Sequence, residues 1–286
     1  MKKIFLIVLI LNSLSVFAQN EIDALRYSID GIFGTAKFTS MGGSFGALGG
    51  DFSNLHFNPA GLGLYQNSEV FISPSMHLNK VKSYYTQKIE SEKVDLSISN
   101  LGIIFSSPIK NKNWNRINFG IGISTLNSYD QDITIQGQNK FNSLADKILD
   151  LANGNYINEL DDFYGYPGFM TYLIDTTVGV GDNGQYFLNI NSSTNKTQRK
   201  IISSNGNKNE LAFSFASSMN DKLYIGTTFG FPIINYNESS KYIEFDFEES
   251  QNVLESYDLK ENLSVYGQGI NLKLGMIARV NQYTNL

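Results

Sequence analysis

Ile117-Asn118-Phe119-Gly120-Ile121-Gly122-Ile123-Ser124-Thr125 carries an apolar or β-branched residue at every odd position and a small or polar one at every even position. A repeat of two is the side-chain period of a strand, so one face of this segment is greasy and the other is small or polar. The pattern recurs in 211–218, where Leu211, Phe213 and Phe215 alternate with Ala212, Ser214 and Ala216. It returns in 223–231, where Leu223, Ile225, Thr227, Phe229 and Phe231 oppose Tyr224, Gly226, Thr228 and Gly230. In 270–278 the apolar phase moves to even positions, with Ile270, Leu272, Leu274, Met276 and Ala278 opposite Asn271, Lys273 and Gly275. Further strands are predicted at 68–78 and 95–106, the second changing phase around Asn100 as a bulge would cause.

The connectors alternate between long and short. About 16 residues separate the first two strands, about 79 lie between 129 and 209, and only Met219-Asn220-Asp221 joins 218 to 222. Up-and-down outer-membrane barrels have this asymmetry, with tight turns at one end and extended loops at the other. The faces opposing the apolar ones, with Gly120, Gly122, Gly226 and Gly230, point the same way. The fold class predicted is therefore all-β, an antiparallel transmembrane β-barrel. Alternation alone does not say whether the apolar face meets lipid or a second sheet, so a soluble secreted β-sandwich adhesin is the competing architecture.

Composition narrows the chemistry. The chain of 286 residues has no Cys, two His and a formal net charge of -5, with 13% aromatic and 17% charged residues. Disulfides are excluded, a metal site has few ligand types to draw on, and there is no basic footprint for nucleic acid. No metal, cofactor or catalytic residue is expected, and the protein is not read as an enzyme. His56 and His77 are the only imidazoles, and no Gly-x-Ser-x-Gly elbow accompanies the serines. The paired carboxylates Asp161-Asp162 and Glu248-Glu249 read as solvated loop residues.

At the amino terminus, Met1-Lys2-Lys3 precedes the apolar run Ile4 to Leu11 and then Val16-Phe17-Ala18. This is the layout of a signal peptide over 1–18, with cleavage after Ala18, and the run is far too short to span a bilayer. The expected localisation is outside the inner membrane, in the bacterial outer membrane. Within 130–208, read as one long extracellular loop, Asn142 is positioned to cap a helix through Leu149. Next comes the aromatic stretch Phe163 to Ile174, and 185–191 with 197–204 is read as a hairpin.

Residues 19–66 lack a steady period and centre on Met41-Gly42-Gly43-Ser44-Phe45-Gly46-Ala47-Leu48-Gly49-Gly50-Asp51, followed by Asn58-Pro59-Ala60-Gly61-Leu62-Gly63. No strand precedes the glycines and no Lys-Ser/Thr follows, so a phosphate-binding loop is a poor reading and close backbone packing a better one. Together with Leu25-Arg26-Tyr27-Ser28 and Gly34-Thr35-Ala36-Lys37, these segments resemble the start of the FadL-type long-chain fatty-acid transporters of the outer membrane. The resemblance implies an amino-terminal Gly-rich hatch, or plug, at 19–66 inside a barrel, with Asn58, Pro59 and Ala60 matching the family's Asn-Pro-Ala motif.

That resemblance implies passive uptake of hydrophobic small molecules, most plausibly long-chain fatty acids, through a monomeric barrel whose partners are outer-membrane lipid and the ligand. Ligand capture is placed on Phe163, Tyr164, Phe169 and Tyr172, gating on Asn58, Pro59 and Ala60, and a carboxylate-holding role on Lys273 or Arg279. Barrels of this type acting in protein secretion or surface attachment are the alternative. Since the family resembled has fourteen strands, residues 67–286, with about six spanning strands or eight counting a loop hairpin, are expected to form an open, curved sheet around the plug.

Overall fold

The computed structural model describes residues 21–111, 113–177, 184–248, 254–281 and 284–285. The expected signal peptide lies outside the described residues. Helix α1, Glu21–Ser28, has Glu21 and Asp23 in its first turn and Arg26 in its last, the distribution its dipole favours, and it buries none of its side chains. The short α2, Ala36–Ser40, begins at Thr35, whose hydroxyl accepts from the Phe38 N–H. Two 3-10 turns follow, Phe52–Leu55 capped by Asp51 and Pro59–Leu64 capped by Asn58 with Pro59 in its first turn.

The rest is dominated by antiparallel strands: β1 (Glu69–Tyr84), β2 (Lys88–Pro108), β3 (Trp114–Ser128), β4 (Gln131–Asn139), β5 (Ile174–Thr176), β6 (Tyr186–Leu188), β7 (Lys196–Met219), β8 (Leu223–Phe245), β9 (Ser256–Gln268), β10 (Asn271–Asn281) and β11 (Thr284–Asn285). The main sheet runs β1-β2-β3-β7-β8-β10-β11, with β4 pairing the far half of β7 and β9 the far half of β8. β3 with β4, and β9 with β10, are thus two long strands, each interrupted once. Counted this way the described residues hold six long ribbons, the lower of the two numbers expected, with the two-residue β11 beyond β10, and the sheet is open: among them β1 pairs only with β2.

The predicted strands are all present, but several are longer than predicted. Residues 79–94, expected as a long connector, continue β1 and β2 into a hairpin closed by Tyr85-Thr86-Gln87. Above Leu78 the outer positions become Lys80 and Lys82 opposite Glu92 and Glu90, so both faces are polar and the apolar contrast that marks a strand disappears. The bulge is close to its predicted place: Ser73 pairs with Asn100 and Pro74 with Ile98, leaving Ser99 as the extra residue. The hairpin expected from 185–191 and 197–204 is not formed. Instead 186–188 pairs with 174–176, and 196–204 belongs to the main sheet between β4 and β8. The β7–β8 turn is tight, with Asn220 and Asp221 both at positive φ, which these two residue types tolerate.

The two faces of the sheet are inverted in polarity, with the large apolar side chains outward and the small or polar ones buried. On the outer face Val70, Ile72, Met76, Leu78, Leu96, Leu101, Phe105, Phe215, Phe229, Leu272, Leu274 and Met276 are all exposed, Leu274 at 79%. On the inner face Asn100, Asn118, Ser124, Ala212, Ser214, Ala216 and Thr228 are buried. The bulk that fills this inner space comes from residues 38–65: Phe52, Leu55, Leu62 and Tyr65 pack with Ile104, Ala212 and Ala216 of the sheet.

A second core lies beyond the sheet's far end. Helices α3 (Leu144–Ala152) and α4 (Gly165–Met170) pack with β5 and β6 around Ala145, Ile148, Leu160, Leu173, Ile174 and Tyr186. The cap of α3 is Ser143, one residue later than the predicted Asn142, in a capping box with Asp146.

Candidate functional site

The plug is seated by small residues in the wall. Phe52 points between Gly102 and Gly122, a cross-strand pair on β2 and β3, and a Cβ on either glycine would collide with its ring. A second window opens at Gly226 on β8 and its partner Gly275 on β10, where a Cβ would strike Pro59 and Asn58. The Asn-Pro-Ala segment therefore rests against bare wall backbone. Asn58 holds three points together: its Oδ1 accepts from the Ala60 N–H at 3.1 Å, and its Nδ2 donates to the carbonyls of Gly46 at 2.6 Å and Met276 at 3.4 Å. Asn58, Pro59 and Ala60 are thus brought together at the plug–wall contact. Gly49 and Gly50, at φ 62 and 65, make the turn that carries the chain to this segment, and the Gly50 N–H donates to Gly61 O at 2.9 Å.

Beside that contact lies a buried polar cluster that pattern reading missed. His56 Nδ1 is 2.8 Å from Glu210 Oε1, with both side chains almost fully enclosed. Asn271 Nδ2 donates to Glu210 Oε2 at 2.5 Å, and the Lys273 ammonium donates to Glu210 Oε1. Burial pushes the His56 imidazole below its ordinary pKa of 6.5, against the opposing pull of Glu210, so at neutral pH the ring is uncharged and donates from Nδ1. Gly230 leaves the room that the Glu210 carboxyl occupies, since a Cβ there would lie 2.7 Å from Glu210 Cδ.

This geometry revises the reading of Lys273 and Arg279. Lys273 does face the inside, but Glu210, a wall carboxylate, already neutralises it. Arg279 lies six residues further along β10, with its guanidinium 5.7 Å over the Tyr224 ring and its backbone N–H bonded to Lys222 O. Six residues of strand separate these two cations by about 20 Å, so they do not form one site. The aromatic stretch is divided too. Tyr164 and Phe169 pack against the second core, whereas Phe163 and Tyr172 are exposed, Tyr172 at a positive φ just past α4.

Two cavities are relevant to a ligand. One of about 450 Å³ lies between Arg26 of the plug segment and the wall, lined also by Tyr129, Tyr236, Glu238 and Asn79 among others. Tyr27, Tyr129 and Tyr236 meet edge to face there, with centroids 5.5 to 6.1 Å apart, and Arg26 lies 4.2 Å over the Tyr236 ring while bonded to Asp23 at 2.7 Å. The second, about 660 Å³, lies between α4 and β9 and is lined by Phe163, Pro167, Leu259 and Leu263, with Lys200 and Lys260 at its rim. It contains Phe163 alone of the four aromatic residues singled out in the sequence.

The second core, formed by α3, α4, β5 and β6 and here called the cap, is tied to the strand tips by Glu244, which is fully buried. Its carboxylate accepts from the Ser143 hydroxyl at 2.6 Å, the Leu144 N–H at 3.1 Å, Gln198 Nε2 at 2.9 Å and the Tyr242 hydroxyl at 2.7 Å. A carboxylate at the first turn of α3 also meets the positive end of the helix dipole. Asp161 anchors α4: burial alone would raise its pKa, but backbone N–H donors from Gly165, Tyr164 and Phe163 hold it below its ordinary value. Among the described residues no group of His, Cys, Asp and Glu is arranged to hold a metal ion.

Comparison with known proteins returns no matching family model, no matching curated protein and no matching solved structure.

Proposed function

We propose that this chain forms the wall and plug of an outer-membrane channel for passive entry of hydrophobic small molecules, long-chain fatty acids being the class that the amino-terminal resemblance implies. The observation that carries the reading is the inverted sheet: an exposed apolar outer band around a buried small-and-polar inner face that is filled by the plug. In water, each outer Leu, Ile or Phe would forgo roughly 1.5–3 kcal/mol of burial. The band runs from Val70 to Leu78 on β1, Ile225 to Ile233 on β8 and Leu272 to Val280 on β10. Those lengths fit the roughly 9–11 residues a tilted strand needs to cross a bilayer. Among the described residues no second sheet covers the band; the only other sheet is the two-stranded β5–β6. In a bilayer the outer edges of β1 and of β9 and β10 must also be paired, because hydrocarbon leaves no backbone group unsatisfied.

The cavity beside Phe163, Leu259 and Leu263 is the candidate point of capture, and the cavity lined by Arg26 and Tyr236 is the next compartment toward the plug. Movement between them needs no chemistry: each methylene withdrawn from water is worth about 0.8 kcal/mol. The test has two steps. Outer-membrane fractionation with heat-modifiable migration asks whether the protein is membrane-inserted. Uptake of a labelled fatty acid or aromatic hydrocarbon into liposomes carrying the full-length protein then asks about transport, and no uptake by inserted protein sinks the proposal. The exposed Phe163, Tyr166, Met170 and Tyr172 on the cap favour a second reading, in which the barrel serves secretion or surface attachment and the cap binds a protein partner. Co-purification of secretion components with protein that transports no ligand would select it.

A further inference from the structure

The plug's least polar contact with the wall, the Phe52 ring between Gly102 and Gly122, carries no titratable group. The buried cluster at Glu210 does carry such groups. His56 belongs to the plug, Glu210 to β7, and Asn271 and Lys273 to β10, so one carboxylate joins the plug to two ribbons of the wall. At neutral pH the group is internally balanced: a neutral imidazole, one carboxylate and one ammonium.

We propose that His56, Glu210 and Lys273 form an acid-sensitive latch that holds the plug against the wall near neutral pH and lets it go when His56 is protonated. The groups facing His56 are Glu210 from β7, Lys273 from β10 and, at longer range, Asp30 from the segment after α1. Adding a proton leaves the enclosed triad with a net positive charge, because Glu210 is already matched by Lys273. It also creates a second ring donor at Nε2, an enclosed atom with no hydrogen-bond partner in the protein. A buried charged donor without an acceptor is costly, and the structure relieves it by admitting water between plug and wall. The boundary nearby is suited to wetting: Asn54 of the plug, and Asn100, Ser124 and the Asn271 side-chain Oδ1 of the wall, also bury polar atoms without protein partners. Asn100 pairs with Ser124, and Ser124 with Glu210, in one row across the inner face.

If the barrel is a channel, the latch makes it open more readily in acid; that consequence rests on the transport proposal, whereas the release itself does not. The test therefore reads the plug directly, by hydrogen–deuterium exchange of peptides within 52–64 in full-length protein in detergent micelles, at pH 7.5 and stepwise down to 4.5, corrected for intrinsic exchange. Exchange in 52–64 is expected to rise tenfold or more below the ordinary histidine range while strands β7 and β8 stay protected. His56→Gln, which keeps a donor to Glu210 but does not titrate, is expected to abolish the rise. Lys273→Met removes the cation that opposes protonation and is expected to move the midpoint to higher pH. No acid response in the unaltered protein, an undiminished response in His56→Gln, or an unmoved midpoint in Lys273→Met overturns the latch. Because Lys273→Met and the unaltered protein are read independently, a His56→Gln chain that fails to fold leaves the proposal open to refutation by either.

Discussion

Replacing Phe52 by Ala tests whether the plug is held by shape. Phe52 is fully buried, and its ring occupies the space that two wall glycines leave open, Gly102 and Gly122. Its partners there are backbone and a neighbouring ring: Phe71 lies tilted against it with centroids 5.1 Å apart, and neither glycine has a side chain that could close the gap. Large-to-small changes at such rigid sites cost about 3–5 kcal/mol, and little relaxation is available here, so the upper part of that range applies. Gly122→Ala attacks the same contact from the other side: its Cβ would meet the Phe52 ring and also approach Leu101 O at 2.6 Å. Overpacking of that kind costs about 1–3 kcal/mol. Two changes that act on one contact do not add. In the double variant the added methyl points into the space the ring has left, so its cost falls and the total is smaller than the sum by about 0.5–3 kcal/mol. Trp114, the chain's single tryptophan, lies on β3 and reports wall unfolding in urea, and protection of 52–64 from protease reports plug release. Additivity of the two substitutions within about 0.5 kcal/mol, or no loss of plug protection in Phe52→Ala, would refute the idea that the ring in its glycine window seats the plug.

Three other outcomes follow from the same geometry. Glu244→Ala leaves the Ser143 hydroxyl, the Leu144 N–H and Gln198 without their acceptor, so the cap should loosen by about 1–3 kcal/mol, read as faster trypsin cleavage within 140–177 at unchanged wall stability. Asp161 has its folded pKa held below the ordinary 3.8, so the stability it contributes is present above that value and is lost as pH falls through the folded one; amide exchange of 163–166 should rise only in that acid window, and Asp161→Asn should remove the response. Phe163→Ala combined with Leu263→Ala removes apolar lining from the cavity between α4 and β9, and uptake at low ligand concentration should fall severalfold while protein in the membrane fraction is unchanged.

The sequence was most readable where a strand has two unlike faces. Across 117–125, 211–218 and 223–231 the outer residues are large and apolar and the inner ones small, so the period of two is loud and the assigned faces agree with the burial. The same strands become silent where both faces turn polar. Lys80 and Lys82 opposite Glu92 and Glu90 extend the first hairpin with no alternation to announce it, whereas 197–204 was legible as a strand but not its partners, β4 and β8 in place of 185–191. Contacts distant in sequence were out of reach. Glu210 sits one step ahead of the alternating run 211–218, on the parity of Ala212 and Ser214, and a lone acid at an inward position of a wall strand was the available signal. Nothing in the sequence paired it with His56, 154 residues away. Glu244 was hidden in the same way, because its partners Ser143 and Leu144 lie about 100 residues earlier, across the whole cap.

Inversion of the sheet also explains why plug and wall must be considered as one folding unit. A sheet whose inner face is Ala, Ser, Gly and Thr has too little side-chain volume to fill its own concavity, and protein interiors tolerate few voids. The missing volume is supplied by Phe52, Leu55, Leu62 and Tyr65, which are all buried and all come from the first quarter of the chain. Enlarging the wall residues would fill the space equally well, with no separate filler needed. Small wall residues with a separate filler cost packing that is only as permanent as the contacts of the filler. The glycine windows and the Glu210 cluster are those contacts, one set by shape and the other by buried charge, so the packing of this interior depends on both.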